Sequence, residues 1–228
     1  MKLVAQRTKI IYDTQVDKSI YDKLLIDNLD KCYKIMISNN NKLLIDPTII
    51  YETLIINNYK FNISRNIKTF YQIDKTIRTL VHITIFNLFN IYIKSSSSVL
   101  FIGGEMYLYG KLLNSFISNK YFYTNNEFIY RDTIINNRIN SEYYLINYNK
   151  DKININKYDV LIVNISKHGL RKHLCDQINI LKLKYIIMIT CNENNLKKDI
   201  ELLNNYRVIK QFNYITNFMV QITVLIII

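Results

Sequence analysis

Two positions in this chain set a reactive or charged side chain where chemistry tends to collect. Cys191 follows the apolar run Tyr185 to Thr190, and Asn164 lies near the end of another, Tyr158 to Ile165, which exits through Ser166, Lys167, His168 and Gly169. Both runs have the length and composition of strands buried on both faces of a parallel sheet. In open α/β sheets, functional residues gather at the carboxyl ends of such strands. A thiol placed there becomes a nucleophile when a neighbouring cation or the start of a helix lowers its pKa. Lys167, Lys197 and Lys198 are candidate cations, with Lys167 on the neighbouring strand end. Residue type alone also allows Cys191 to be an inert thiol, because free cysteine usually behaves as a small hydrophobe. Gly103 and Gly104 follow a third apolar run, where small residues let backbone approach a ligand, and an ordinary tight turn explains them equally well. His168 and His173 lie five apart with no third ligand nearby, so no metal site is expected.

The elements that position these residues are legible from periodicity. Between the runs at 158–165 and 185–190, Arg171 to Lys184 carries apolar residues at Leu174, Ile178, Ile180 and Leu181. That spacing predicts a helix, and the unit is a βαβ crossover. Ile77 to Ile93 reads as an amphipathic helix, with apolar positions at Ile77, Leu80, Val81, Ile85, Leu88 and Phe89. Residues 1–66 hold short apolar or alternating runs separated by Asn-rich turns and Asp46-Pro47, which predicts a small mixed or antiparallel sheet. A helix is expected at Ile20 to Leu29. The expected division is a small amino-terminal region over residues 1–66 and a larger α/β domain over residues 67–228.

Composition narrows the function classes. With 228 residues and 49% hydrophobic content, the chain can bury a substantial core. Its formal net charge is +12, with a pI near 9.4. A cationic surface favours polyanions, and nucleic acid is the natural partner. The abundance of Ile, Asn, Lys and Tyr also fits an AT-biased coding sequence, which contributes to the basicity. Three scattered cysteines argue against a disulfide scaffold or a Cys-rich metal site, and fit a reducing compartment. No segment approaches the ~20 apolar residues of a membrane span, and the amino terminus lacks the pattern of a signal peptide. An intracellular, cytoplasmic protein with no membrane partner is expected.

Several of these segments resemble the RNA uracil 5-methyltransferases. "VLIVNISKHGL", residues 160–170, is similar to that family's Asp-Pro-Pro-Arg-x-Gly-Leu strand end. "YIIMITCNENNLKKDIELL", residues 185–203, is similar to its Tyr-x-Ser-Cys-Asn-Pro-x-Thr-Leu-x-x-Asp-Leu segment. Phe70, Tyr71, Gln72, Ile73 and Asp74 occupy its Phe-Phe-Gln-Val-Asn box, "SSVLFIGGEMYLYGKLL" its glycine-rich first strand and loop, and the carboxy-terminal segment its closing hairpin. The resemblance runs from Ile49 to the end.

It implies an α/β fold, a Rossmann-like class I methyltransferase domain with a small amino-terminal α+β or β-rich appendage. It further implies S-adenosyl-L-methionine as cofactor, held by Gln72, Gly103, Gly104 and Asn164, with Cys191 as catalytic nucleophile and Lys167 and Asn192 on the substrate. In that family the thiolate adds to carbon 6 of uracil, carbon 5 takes the methyl group, and a base removes the proton from carbon 5. The chain departs from the pattern at Phe101, where the family has Asp. It departs again near Thr124, where a carboxylate is expected unless Glu127 serves from further along. Asn164 replaces the family's Asp, and Val220 or Gln221 stands in place of the general base. Two functions follow as expectations: methylation of uracil carbon 5 in tRNA or rRNA, or a catalytically inactive methyltransferase fold that binds RNA or stabilises a partner. The family's amino-terminal RNA-binding barrel has no counterpart, so RNA choice falls to residues 1–66 or to a partner protein.

Overall fold

The computed structural model describes residues 35–37, 43–45, 49–56, 59–66, 69, 75–113, 119–137, 141–148, 150–153, 158–165, 168–215 and 219–228. The helix expected at Ile20 to Leu29 lies outside the described residues. The chain divides into two compact units, Met1–Thr69 and Phe70–Ile228.

In the first unit β1 (Ile35–Ile37) pairs antiparallel with β2 (Leu43–Ile45). β3 (Ile49–Ile56) pairs antiparallel with β4 (Tyr59–Asn66) in full register, from Ile49 opposite Asn66 to Ile56 opposite Tyr59. Opposite β3, Phe61 and Ile63 are buried while Asn62 is exposed, the alternation expected of a strand with one covered face. Arg65 and Glu52, on paired strands, form an ion pair at 3.5 Å with both side chains largely buried.

The second unit is built on a seven-stranded sheet in the order β10-β11-β9-β8-β5-β6-β7. In chain order its elements are α1 (Lys75–Tyr92), β5 (Ser98–Gly103), α2 (Met106–Leu112), β6 (Asn119–Thr124), α3 (Glu127–Asn136), β7 (Ser141–Leu145) and β8 (Val160–Asn164). There follow α4 (Lys172–Leu181), β9 (Tyr185–Thr190), α5 (Glu193–Leu202), β10 (Tyr206–Ile215) and β11 (Met219–Ile227). Strands β5 to β9 are parallel, and β10 and β11 form an antiparallel hairpin on the β9 edge.

The strands of the middle of the sheet are apolar along their length because both faces are covered. On one face Leu100, Ile102, Leu161, Val163, Ile186 and Met188 pack with Leu174, Cys175 and Ile178 of α4 and Leu196 of α5. Pairing aligns Tyr144, Tyr123, Ile102, Val163 and Met188 in one row across five strands. Tyr123 and Tyr144 stack at 4.4 Å. The other face carries Phe101, Phe122 and Tyr143 in a second row, stacked at 4.7 and 5.5 Å. Phe101 is therefore core, and its place in this ladder accounts for an aromatic ring where the resemblance leads one to expect Asp. Each such fully buried apolar side chain contributes about 1.5–3 kcal/mol.

Element ends follow local chemistry. The helix expected at 171–184 is confined to Lys172–Leu181, because Lys182 adopts a left-handed conformation, φ 49, that closes it. The strand expected from Tyr158 begins at Val160: Asp159 is turned to the amino end of β5, where its carboxylate accepts from Ser98 N at 2.7 Å.

Gly110 marks where α2 comes closest to the sheet. A Cβ there would lie 2.5 Å from the Phe122 ring and 2.7 Å from Asn137 Oδ1. Gly110→Ala should therefore destabilise the protein by about 1–3 kcal/mol through overpacking, despite alanine's better helix propensity. A lowered urea midpoint at constant slope checks this, and an unchanged or raised midpoint contradicts it.

Candidate functional site

The sheet has a topological switch point between β5 and β8. From β5 the chain builds outward through β6 and β7 on one side, and from β8 through β9 on the other. Helices therefore leave opposite faces there, and a crevice opens at the carboxyl ends. A pocket of ≈ 460 Å³ occupies it, reached by the ends of β5, β6, β8 and β9 and by Val81, Ile129, Tyr148 and Val220.

Its floor is backbone. Gly103 pairs with Asn164, and Gly104 N donates to Asn164 O at 2.8 Å. Gly103 has φ +100, and a Cβ on it would lie 2.0 Å from Asn164 O. No other residue fits without separating the two strand ends. Glu105 follows in the left-handed region, φ 52, at a cost on the order of 1 kcal/mol for a residue with a Cβ.

Beside this floor lies a buried polar cluster. The Tyr109 hydroxyl donates to Glu105 Oε2 at 2.8 Å, and Asn164 Nδ2 donates to the same oxygen at 3.2 Å. Asn164 Nδ2 also reaches the Tyr109 hydroxyl at 3.3 Å. Burial, followed by the adjacent Glu105 charge, holds the Tyr109 pKa well above the usual phenol range, so the hydroxyl keeps its proton and donates it. His82 of α1 meets the Tyr109 ring edge-on at 6.3 Å. Burial and the Arg78 charge push its pKa down to about 3, leaving a neutral imidazole at physiological pH. Glu105 is the only charged side chain among the described residues that line the pocket.

The residues singled out in the sequence fall into three groups. Gly103, Gly104, Asn164 and Cys191 all line this one pocket. Cys191 stands exposed directly after β9. Asn192 is the amino-terminal cap of α5, where its Oδ1 accepts from Asn195 N at 3.1 Å, and it is not among the lining residues. Gln72 and Lys167 lie outside the described residues.

Near the end of β6, Thr124 and Asn126 line the pocket, and Asn126 caps α3 by accepting from Phe128 N and Ile129 N. Glu127 is exposed and paired with Arg131, so it does not supply the carboxylate expected there. Of the two positions open for a base, Val220 lines the pocket. Gln221 instead donates from Nε2 to Asn213 Oδ1 at 3.1 Å. His168 and His173 join no group of metal ligands, and among the described residues there is no such cluster. Among the described residues no helix is long and apolar enough to cross a membrane.

Glu105, Tyr109, His82 and Tyr148 are the contributors that sequence reasoning did not assign. The i, i+4 spacing of Glu105 and Tyr109 just past a strand end carried the one available signal. His82 and Tyr148 lie inside patterns that read as ordinary helix and loop.

No family model matches the chain. Over 49 residues it is 39% identical to the 23S rRNA (uracil(747)-C(5))-methyltransferase RlmC of Serratia proteamaculans, which is 22% of this chain and 13% of that protein. Over 50 residues it is 34% identical to the same enzyme of Proteus mirabilis, with the same shares. Among solved structures, it superposes on the Pyrococcus abyssi tRNA (uracil-54, C5)-methyltransferase in complex with S-adenosyl-L-homocysteine. That match has TM-score 0.61 and 17% identity, and covers 81% of this chain and 46% of that one. It also superposes on the N-methyltransferase NodS of Bradyrhizobium japonicum, with TM-score 0.56 and 8% identity, over 68% of this chain and 89% of that one. The chain thus has the α/β Rossmann-like fold of class I methyltransferases and is RNA uracil 5-methyltransferase-like. The matched segments span about an eighth of the curated relatives.

One more buried carboxylate governs the loop that leaves β8. Asp199 Oδ2 accepts from Leu170 N at 2.9 Å, and burial pushes the Asp199 pKa up to about 6. A raised carboxylate pKa contributes stability that is complete below the unfolded-state value near 3.8 and is lost as pH rises through about 6. Asp199→Asn keeps an acceptor without the charge, so the variant should gain stability relative to the parent between pH 4 and pH 7. Urea denaturation of both proteins across that range checks this; a stability difference independent of pH contradicts it.

Proposed function

We propose that this protein is an S-adenosylmethionine-dependent RNA methyltransferase that acts on carbon 5 of a uracil through Cys191. The observation that carries this reading is the convergence of Cys191 with Gly103, Gly104 and Asn164 on one pocket at the switch point. The residues fit a nucleoside-sized cofactor. Gly103 and Gly104 lie on the pocket floor, and Thr124, Asn126 and Asn164 offer polar atoms among apolar lining residues such as Val81, Ile129, Ile165 and Ile189. When bound, S-adenosylmethionine supplies an electrophilic methyl group.

In this reading Gly103, Gly104 and Asn164 hold the cofactor, and Cys191 works at the rim. Its thiolate adds to carbon 6 of the uracil, moving the ring electron pair onto carbon 5, which then takes the methyl. Loss of the proton from carbon 5 re-forms the double bond and expels the thiolate. Gln72 belongs to the cofactor side and Lys167 and Asn192 to the RNA side, by the same resemblance. The +12 charge favours RNA outside the pocket.

The step after methyl transfer is the one this chain supports least. Of Val220 and Gln221, the two positions open for a general base, Val220, a hydrocarbon, lines the pocket, while Gln221 is hydrogen-bonded to Asn213. A positioned base contributes about 10²–10⁴ in rate, so adduct breakdown is slow and the covalent RNA complex builds up.

RNA carrying 5-fluorouridine tests the reading, since its carbon 5 has no proton to lose and the adduct is trapped. In the presence of S-adenosylmethionine, a denaturation-resistant protein–RNA complex should form with the parent and with Cys175→Ser, and should be lost in Cys191→Ser. Cys175 serves as the control because it is buried and burial pushes its thiol up to about 12. A complex that survives in Cys191→Ser, or cofactor binding that does not saturate at millimolar concentration, overturns the proposal.

A further inference from the structure

β10 is an edge strand of the seven-stranded sheet, paired with β11. The register of that pair shifts between Val208 and Lys210, where Ile209 is the extra residue of a β-bulge. Arg207 therefore lies opposite Ile226, Lys210 opposite Val224, Phe212 opposite Ile222 and Tyr214 opposite Val220. Those partners are spaced by two, so all four β10 side chains stand on one face of the sheet. Without the bulge Arg207 would stand on the other face. The strand thus presents two cations followed by two aromatic rings.

Arg207 and Lys210 are exposed, and Phe212 and Tyr214 are half-buried. Lys210 Nζ lies 5.4 Å from the centre of the Phe212 ring, a cation–π contact. The Tyr214 hydroxyl is hydrogen-bonded to Thr84 of α1, which fixes its ring. A second pair continues the face: Lys184 Nζ lies 5.4 Å from the centre of the Tyr185 ring, which packs against Tyr92 of α1 at 4.9 Å. Tyr185 is opposite Ile226 and so in line with Arg207. α1, β9, β10 and β11, the elements that build this face, contain no Asp or Glu, whereas α4 and α5 on the opposite face carry Asp176, Glu193, Asp199 and Glu201. The row begins at the pocket: Val220, the cross-strand neighbour of Tyr214, lines it, and so does Val81, three residues before Thr84 on α1.

A bulge and exposed cations are devices by which a sheet edge resists pairing with another strand, so an added β-strand fits this edge poorly. Aromatic rings interleaved with cations fit the bases and phosphates of a single-stranded nucleic acid. We infer that this face is the track for the unpaired nucleotides next to the base held in the pocket, with Phe212 and Tyr214 offering ring surface to bases and Lys210 and Arg207 meeting phosphates. The inference rests on the RNA reading under the proposed function and adds to it the surface that holds the strand.

Fluorescence anisotropy with a labelled single-stranded oligouridine tests this. The proteins are the parent, Phe212→Leu, the double variant Arg207→Gln with Lys210→Gln, and the control Lys172→Gln, which removes an exposed lysine of α4 on the opposite face. Phe212→Leu should weaken binding about tenfold and leave its salt dependence as in the parent. The double variant should reduce the slope of log affinity against log salt by about 1.4, two phosphate contacts at ~0.7 each. Lys172→Gln should change affinity by no more than about twofold. Equal weakening by Lys172→Gln and the double variant, parent-like binding by Phe212→Leu and the double variant, or no binding of oligouridine by the parent overturns the inference. Should Phe212→Leu not fold, the comparison of the double variant with Lys172→Gln decides. The 5-fluorouridine adduct of Cys191 reports separately on the proposed function: an adduct formed by the parent, with oligouridine binding unaltered in these variants, overturns the inference alone.

Discussion

The site depends on the contact between two strand ends. Gly104 N and Asn164 O meet at 2.8 Å where β5 and β8 finish, and the absent side chain of Gly103 is what lets them meet. Every other part of the pocket is placed from this junction. The loop beyond Gly104 carries Glu105 inward, Asn164 projects its amide onto that carboxylate, and β9, paired with β8, delivers Cys191 one strand further along. A side chain at 103 would push apart the end of the sheet where the topology reverses, and with it the crevice.

The second constraint is the cost of burying polar groups beside that junction. Glu105, Tyr109 and Asn164 hydrogen-bond to one another, and His82 stays neutral against the Tyr109 ring. Losing any one partner would strand a buried group, at about 1–3 kcal/mol. The +12 net charge of the chain favours a polyanion as partner.

The departures from the uracil methyltransferase pattern have physical occupants. Phe101 completes an aromatic ladder with Phe122 and Tyr143 in the covered face of the sheet, where a carboxylate would be desolvated. Val220 closes the pocket wall next to the β9 end, while Gln221 is turned to Asn213 on the neighbouring strand. Glu127 is held at the surface by Arg131. Acidity lost from the strand end at 101 is present again at 105, four residues on and past the turn. The resemblance in sequence is confined to short segments, whereas the backbone likeness extends over most of the chain.

The parallel core was legible because continuous apolar runs such as Val160–Asn164 and Tyr185–Thr190 fit strands covered on both faces. The helix between the last two had its apolar stripe, and Cys191 and Asn164 were placed at strand ends by the same pattern. The sequence by itself thus determined the α/β class, the parallel core and the placing of Asn164 and Cys191 at strand ends, since apolar runs and periodicity record which side of each element is covered. What only the tertiary structure decided was the company those residues keep. Glu105 became a pocket acid because a left-handed turn directs it at Asn164, 59 residues away, and Val220 rather than Gln221 reached the wall through strand alternation and register. Those pairings depend on turn geometry and on register between distant segments, and no local pattern of residue types encodes either.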